Sequence, residues 1–430
     1  MMTEIEVTMV VVGMLLSMML VSIPIGASMA LSAFTGVLIL YGIDTAFFMV
    51  GEVAMEIGFN YGLCIVPLFI LMGNLATRAG MSADLYEGCS RLFGGLRGSL
   101  AMATIAACGC FAAISGSSLA TATSLGQVAL PEMKKYGYSD GLATGSVAAG
   151  GTIGVLIPPS IILVLYGVIT ETSITDLFLA AVIPGLLQVL IYVLTIAFVV
   201  WKWPKSAEPG TPTTFKEKLG AIPKLSSMVS LFVLIIGGLY LGIFTPTEAA
   251  GFGVIFALAI GLIRRSLSWA LLVESLQATI KITGMIALIV FGAFMLINFF
   301  ILTRANITIA DYIVSFNAPP TLILLAILLI YLILGCFLDS IGMVLLTVPV
   351  VFPIIQNLGY DPVWFGIILV IVVETGQITP PLGINVFAIK SIVPNVELST
   401  IFRGVMPFWA ADIIRLTLLV IFPGIILFVL

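Results

Sequence analysis

Two ten-residue stretches decide how this chain is organised: residues 150–159 read GGTIGVLIPP, and residues 372–381 read VVETGQITPP. Each ends in two prolines and carries a glycine four residues before the first of them. Proline inside a helix removes a backbone hydrogen bond and clashes with the preceding turn. A proline pair that follows glycine in apolar sequence therefore predicts a helix that unwinds, at 150–159 and again at 374–381.

The two stretches belong to an internal repeat with an offset of 222 residues. The matching landmarks are serine, glycine, tyrosine and proline residues, in the pairs Ser118/Ser340, Pro131/Pro353, Gly137/Gly359, Tyr138/Tyr360, Gly154/Gly376, Pro158/Pro380 and Pro159/Pro381. Apolar sequences match easily by chance, but equal spacing over such landmarks is harder to obtain. We therefore predict two structural repeats.

The composition places these repeats in a lipid bilayer. Of 430 residues, 61% are hydrophobic and 9% are charged, whereas soluble domains carry about 25% charged residues. A spanning helix needs about 20 mostly apolar residues. Ten stretches meet this requirement, at 7–23, 25–42, 63–79, 140–170, 177–201, 226–243, 246–263, 282–302, 363–393 and 405–428.

Two further apolar stretches, 98–131 and 319–355, are interrupted by the polar segments 115–118 (SGSS) and 339–342 (DSIG). Each half has only about 15 residues, too few to cross comfortably. We predict two re-entrant helical hairpins, because non-helical backbone at membrane depth is tolerated only inside protein or beside a water-filled cavity. The predicted fold class is an all-α polytopic membrane protein with inverted repeats and two re-entrant hairpins.

A lysine-rich linker at 202–224 separates a first repeat half, 1–201, from a second, 225–430. The positive-inside rule places this linker in the cytoplasm. The acidic segment 43–60, which we interpret as a loop, and both termini then fall on the periplasmic side. The first hairpin enters from the cytoplasm and the second from the periplasm, which makes the repeats inverted, as in many secondary carriers.

Several function classes are excluded or disfavoured by the residues present. The chain has no histidine, which excludes a histidine-based triad, base or metal site. It has no P-loop motif and no GxGxxG, and no basic aromatic patch suggests nucleic acid. The five cysteines form no zinc-like cluster. We expect no cofactor, no ATP hydrolysis and no nucleic-acid partner.

The motifs also carry a resemblance to a known family. The segments 113–118 (AISGSS) and 150–160 (GGTIGVLIPPS) resemble the first-half signature of the large membrane subunits (DctM family) of TRAP, or tripartite ATP-independent periplasmic, transporters. The segments 337–339 (FLD) and 374–385 (ETGQITPPLGIN) resemble the second-half signature. The likeness covers nearly the whole chain, and the motifs occur in the family's order.

This resemblance implies an elevator-type ion transporter fold, in which a transport domain holding both hairpins slides against a scaffold. It implies uptake of an organic anion (a carboxylate, sialic acid or sulfonate), driven by a gradient of Na⁺ as the coupling ion. It also implies two protein partners, a small four-helix membrane subunit (DctQ-like) and a periplasmic substrate-binding protein. The expected location is a bacterial or archaeal inner membrane.

The candidate sodium ligands lie at the hairpin tips and the helix breaks, because hard cations prefer oxygen ligands and unwound carbonyls can supply them. They are Ser115, Gly116, Ser117, Gly150, Thr152, Asp339, Ser340, Thr375 and Thr379. Two structural alternatives stay open. Small residues also let membrane helices pack closely, and Asp339 could simply cap the following half-helix.

The candidate substrate-binding residues carry hydroxyl or amide groups near the same features. They are Asn74, Ser118, Thr121, Gln377 and Asn385, and the amide side chains could instead brace unwound backbone. Glu374 either neutralises a cation or a proton, or caps backbone. Asp412 and Arg415 are three residues apart, which predicts a local pair on one helix. Residues 82–97 predict an interfacial amphipathic helix that braces the scaffold.

Three other functions compete with this interpretation. A stand-alone sodium- or proton-coupled dicarboxylate carrier would share the architecture and need no binding protein. An intramembrane hydrolase would need a serine–lysine pair, yet Lys281 and Lys390 lie near predicted cytoplasmic ends. A purely structural scaffold would not explain two polar-tipped hairpins inside a bilayer.

Overall fold

The computed structural model describes residues 3–208, 210, 213–315 and 318–430, and within them the chain forms α-helices, two short 3₁₀ segments and no strand. The helices fall into four sets of five, followed by a short last helix. The first set is α1 (Glu4–Leu20), α2 (Ile25–Tyr41), α3 (Ile43–Phe59), α4 (Ile65–Arg78) and α5 (Met81–Phe93). The second is α6 (Ser99–Ser115), α7 (Ser118–Lys135), α8 (Asp140–Leu156), α9 (Ile161–Thr170) and α10 (Ile174–Lys202).

The third and fourth sets follow the linker. The third is α11 (Phe215–Leu219), α12 (Ile222–Tyr240), α13 (Pro246–Ile263), α14 (Trp269–Leu302) and α15 (Ala305–Ser315). The fourth is α16 (Pro320–Gly335), α17 (Ser340–Asn357), α18 (Pro362–Gly376), α19 (Ile384–Ile392) and α20 (Leu398–Ile421), and α21 (Gly424–Leu427) ends the chain.

The repeat appears in the helix boundaries. Helix α7 spans 118–135 and α17 spans 340–357, so both ends differ by 222 residues. Helices α8 and α18 begin at 140 and 362, with the same difference. The second and fourth sets thus have one plan: a helical hairpin, an interrupted helix and a long last helix.

The first helix break is narrower than the sequence pattern indicates, and the second lies further toward the C-terminus than predicted. Helix α8 runs to Leu156 and α9 begins at Ile161, so only 157–160 leave the helix; in the second repeat the non-helical residues are 377–383. Gly150, Thr152 and Thr375 therefore remain helical. In the first repeat the helix continues past Gly154 and ends two residues before Pro158, because proline restricts the residue before it and cannot donate a backbone hydrogen bond; in the second repeat it ends at Gly376 itself.

Eight helical segments in the described residues are long and apolar enough to cross a membrane, against ten predicted spans. Helices α1 and α2 have only 17 residues each, and the eight include α17, a predicted hairpin arm. The loop interpretation of 43–60 is wrong, since α3 occupies 43–59. Its buried residues Ala46, Met49 and Val53 follow a helical period, while the three acidic side chains that suggested a loop lie on the exposed face.

Helix α8 is the centre of the second and fourth sets, with every residue from Leu142 to Leu156 buried. It packs against α6, α7 and α20. Close approach to α20 depends on glycine, because a Cβ on Gly145 would lie 2.3 Å from the Gly404 carbonyl oxygen. Small residues at such crossings let membrane helices pack backbone to backbone.

The predicted amphipathic helix is α5, and ion pairs join it to its neighbours. Asp84 pairs with Arg264, and Glu87 pairs with both Arg91 and Lys224. The hydrogen bond from Lys224, with the charges of Lys224 and Arg91, holds the pKa of the Glu87 carboxyl below its usual value. Helix α5 is thus tied to the start of α12 and the end of α13 while it packs on α6 and α7.

A matched pair of glycines on α14 tests this packing. A Cβ on Gly292 would lie 2.1 Å from the Gly26 carbonyl oxygen of α2, whereas a Cβ on Gly284 would have no atom of the described residues within 4 Å. We expect Gly292→Ala to cost about 1–3 kcal/mol, as overpacking does. Gly284→Ala should be neutral or stabilising by up to about 1 kcal/mol. Thermal unfolding of the purified variants measures both, and equal midpoints would contradict the α2–α14 contact.

Candidate functional site

The first hairpin turns on three residues. Helix α6 ends at Ser115, Gly116 adopts a positive φ of 55°, and Ser117 is extended, so that its side chain accepts a hydrogen bond from Ala120 N and caps α7. Glycine suits this left-handed position because it has no Cβ. The Ser115 and Thr121 hydroxyls are 2.6 Å apart, and Thr121 donates to the Ser117 carbonyl at 2.8 Å. The tip is therefore a closed turn of hydroxyls and carbonyls.

The first interrupted helix packs closely against this tip. A Cβ on Gly154 would lie 2.5 Å from Thr121 Oγ1, and one on Gly151 would lie 3.0 Å from the Ser118 carbonyl oxygen. A Cβ on Gly116 would lie 3.1 Å from the carbonyl oxygen of Pro159, in the break itself. The glycines around the break thus allow tip and helix to approach at backbone distance.

The second tip is held differently. Asp339 caps α17, with its Oδ2 accepting from Gly342 N at 2.9 Å. Gln377, in the second break, donates to the Leu338 carbonyl at 2.9 Å. Helix α16 reaches the same break, because a Cβ on Gly376 would lie 2.7 Å from the Gly335 Cα. The structure thus contains the hydrogen bond by which Asp339 caps the following helix and the one by which Gln377 braces the backbone.

The two tips meet residues of the second interrupted helix. Asn385 Nδ2 donates to Ser118 Oγ of the first tip at 2.6 Å, and Ser340 Oγ of the second tip donates to Glu374 Oε1 at 2.7 Å. Asn385 and Glu374 lie on opposite sides of the second break. The Asn385–Ser118 hydrogen bond, between residues 267 positions apart in sequence, thus joins one repeat to the other.

A cavity of about 360 Å³ lies where the tips meet. It is lined by both tips, both interrupted helices and two side chains of α14: Gly116, Ser117, Ser118, Leu119, Val155, Ile162, Met285, Ile289, Asp339, Ser340, Ile341, Gln377, Ile384 and Asn385. Seven predicted site residues are among them: Gly116, Ser117, Ser118, Asp339, Ser340, Gln377 and Asn385. Seven of the predicted site residues therefore line the same cavity.

The other predicted residues lie outside this lining. Asn74 donates to Thr279 Oγ1 of α14 at 2.9 Å, in contact between α4 and α14. Gly150 packs on the Cys108 side chain. Thr375 donates to the Ile371 carbonyl, and Thr379 donates to the Thr375 carbonyl while accepting from Trp409 Nε1. Ser115 and Thr121 form the inner bonds of the first tip.

Thr152 takes part in a buried polar network that the sequence patterns did not predict. Its hydroxyl accepts from Gln188 at 3.0 Å and lies 3.2 Å from the Tyr192 hydroxyl. Tyr192 donates to Asp412 Oδ2 at 2.5 Å, and Asp412 pairs with Arg415 at 3.0 Å. The predicted Asp412–Arg415 pair is confirmed, and the polar residues of α10 were the missed signal for the rest.

The cavity lining is poor in charged side chains but rich in helix N-termini. Among the described residues, Asp339 is the only ionisable side chain of its lining, and none of the described lysines or arginines contributes to it. Four helices, however, present one or both of their first two residues there: Ser118 and Leu119 of α7, Ile162 of α9, Ser340 and Ile341 of α17, Ile384 and Asn385 of α19. Helix N-termini carry a partial positive charge and unpaired N–H groups, which favour anions.

Comparisons with known proteins agree with this architecture. Residues 12–425 match the family described as "Tripartite ATP-independent periplasmic transporter, DctM component". The chain is 34% identical, over 85% of each chain, to the C4-dicarboxylate TRAP transporter large permease protein DctM of Pseudomonas aeruginosa. It is 35% identical, over 85% of each, to the sialic acid TRAP transporter large permease protein SiaM of Vibrio cholerae.

Two further comparisons extend these. The ectoine TRAP transporter large permease protein TeaC of Halomonas elongata is 34% identical, again over 85% of each chain. The crystal structure of the Alcanivorax borkumensis YdaH transporter shares the fold with a TM-score of 0.66 over 89% of each chain, at 14% identity. Family and fold thus agree across nearly the whole length, and this chain belongs to the family of DctM components, the large permeases of TRAP transporters.

Proposed function

We propose that this chain carries an organic anion across the inner membrane, driven by a sodium gradient, and that the anion binds in the cavity between the hairpin tips. The convergence of four helix N-termini on that cavity carries the proposal. The helix N-termini can bind a carboxylate or sulfonate there, although the described residues of the lining include no cationic side chain. The substrates named for the relatives differ from one another, so the proposal names no single compound; its class, an organic anion, follows the C4-dicarboxylate and sialic acid of two of them.

Sodium fits the residues that surround this anion site. The tips offer serine hydroxyls, backbone carbonyls and the Asp339 carboxylate, which are the hard oxygen ligands of such cations. A bound cation would also offset the negative charge of Asp339 beside an anionic substrate. We assign sodium first to the tip residues Ser115, Gly116, Ser117, Asp339 and Ser340, and to the carbonyls freed by the two breaks. Four further residues remain candidate sodium ligands, although their observed contacts lie within helices or in the buried polar network: Gly150, Thr152, Thr375 and Thr379.

The proposed movement is that of an elevator. The second and fourth helix sets form the transport body, and the first and third form the scaffold. We propose that the hairpins are re-entrant, that the linker is cytoplasmic and that both termini are periplasmic. A small four-helix subunit would bind the scaffold, and a periplasmic binding protein would deliver the substrate. A stand-alone carrier with the same cavity is the second candidate.

Uptake by the reconstituted complex tests this proposal. Proteoliposomes with the small subunit should accumulate substrate only with an inward sodium gradient and with the binding protein supplied. Accumulation without the binding protein would favour the stand-alone carrier, and accumulation without sodium would contradict the coupling.

A pair of capping aspartates refines the test. Asp339 and Asp361 both cap a helix N-terminus, at α17 and α18, but only Asp339 lines the cavity. Asparagine caps helices as well as aspartate does, so both exchanges should preserve the fold. Asp339→Asn should raise the sodium concentration for half-maximal uptake roughly tenfold, the equivalent of about 1.4 kcal/mol, and Asp361→Asn should leave it unchanged.

A further inference from the structure

Glu374 is a buried carboxylate without a counter-charge. Three charged side chains are buried in the described part of the chain, Glu374, Asp412 and Arg415, and each is 1% exposed. Arg415 pairs with Asp412. No ion pair of Glu374 occurs among the described residues, and the Asp412 carboxyl is close enough to repel it. Ionised, the three groups carry one net negative charge.

The hydroxyls of two serines lie against the Glu374 carboxyl group. Its Oε1 accepts from Ser340 Oγ at 2.7 Å, and the Ser118 hydroxyl also faces the carboxyl group. Its Oε2 has no hydrogen-bond partner in the described part of the chain, and neither does Oδ1 of the fully buried Asn385, whose Nδ2 donates to Ser118. Two buried acceptor oxygens of this cluster are thus unsatisfied. Most buried polar atoms have partners, so these two oxygens call for an explanation, and a bound cation is one that would satisfy both.

We propose that Glu374, Ser118, Ser340 and Asn385 form a further Na⁺ site, directly behind the cavity lining and between the two hairpin tips. An ionised carboxylate in an apolar interior is costly unless it is paired or bound to a cation, and otherwise it takes up a proton. Na⁺ takes several oxygens at once, and these four residues supply a carboxylate, two hydroxyls and an amide oxygen. The inference rests on the proposed function only in taking sodium as the coupling ion.

The position of this site gives it a specific role. Ser118 and Ser340 are the first helical residues after the two tips, so a cation held here requires both tips to be in place. Binding at Glu374 would then couple closure of the first hairpin to closure of the second. The ion would travel with the transport body, and its charge would compensate Glu374 in both end states.

Equilibrium binding of ²²Na⁺ to the purified protein in nanodiscs, without substrate or binding protein, tests the site. Glu374→Gln should bind one ion fewer per chain than the wild type, and the exposed control Glu397→Gln should bind the same number. Ser118→Ala, which keeps the carboxylate, should weaken the affinity of that ion roughly tenfold, the equivalent of about 1.4 kcal/mol. In choline buffer, Glu374→Gln should unfold at no lower temperature than the wild type, and sodium should stabilise it less.

Three outcomes would overturn the site. An unchanged number of bound ions in Glu374→Gln means that Glu374 holds no sodium, while sodium coupling elsewhere survives. Unchanged sodium binding together with an altered pH dependence of uptake means that a proton is the occupant. Failure of the wild type to bind sodium at all would remove this site and the proposed coupling ion together.

Discussion

Replacement of Arg415 by methionine is expected to destabilise the protein by about 3–5 kcal/mol, because it leaves the Asp412 carboxylate buried without its partner. Both side chains are 1% exposed, so water cannot replace the lost guanidinium. The effect should extend through Tyr192 to Thr152, since Tyr192 donates to Asp412 and lies beside the Thr152 hydroxyl. Thermal unfolding in detergent and the yield of folded protein measure the loss.

Two controls separate the lost pair from lost packing. Arg403→Met removes an exposed arginine from the same helix, and it should change the unfolding midpoint little. Adding Asp412→Asn to Arg415→Met removes the orphaned charge but keeps an acceptor for Tyr192, and it should recover most of the stability. A double variant as unstable as Arg415→Met would show that the arginine acts through its packing.

Crosslinking the transport body to the scaffold is expected to abolish uptake. Cys110 of α6 and Val229 of α12 line one apolar crevice between the two bodies. In a background whose other cysteines are replaced, mercuric ion should join Cys110 to a cysteine introduced by Val229→Cys. Because alternating access is largely rigid-body motion of one bundle against another, a bond across this boundary should hold one end state. Uptake should return when excess thiol removes the mercury.

A crosslink inside the transport body provides the control. A Cβ on Gly126 of α7 would lie 3.1 Å from Ile392 Cδ1 of α19, and both helices belong to the same body. The variant Gly126→Cys/Ile392→Cys, with Cys110 also replaced, should bind mercury and retain most of its uptake. Full uptake with the Cys110–Val229 crosslink in place would contradict the elevator movement, although not the role of the chain as a permease.

Local sequence patterns predicted much of the cavity and misjudged other parts. The tips at 115–118 and 339–342 and the proline pairs could be recognised because serine, glycine, aspartate and proline are rare interruptions in apolar helices. The acidic residues of α3, by contrast, suggested a loop, because only three buried residues mark the helical pattern of this segment. The first break was predicted too wide because glycine permits unwinding, whereas proline enforces it.

The sequence by itself determined the membrane class, the 222-residue repeat, the family and the positions of the tips and breaks. These follow from composition and from residues whose backbone preferences are local. Only the tertiary structure decided which polar side chains are in contact. The Thr152 hydroxyl lies beside Tyr192 and not in the cavity lining, and Asn74 donates to Thr279. Asn385 donates to Ser118, which is 267 positions away in the sequence. The physical reason is that a buried polar group must find a partner wherever packing brings one, and packing joins helices that are distant in the chain.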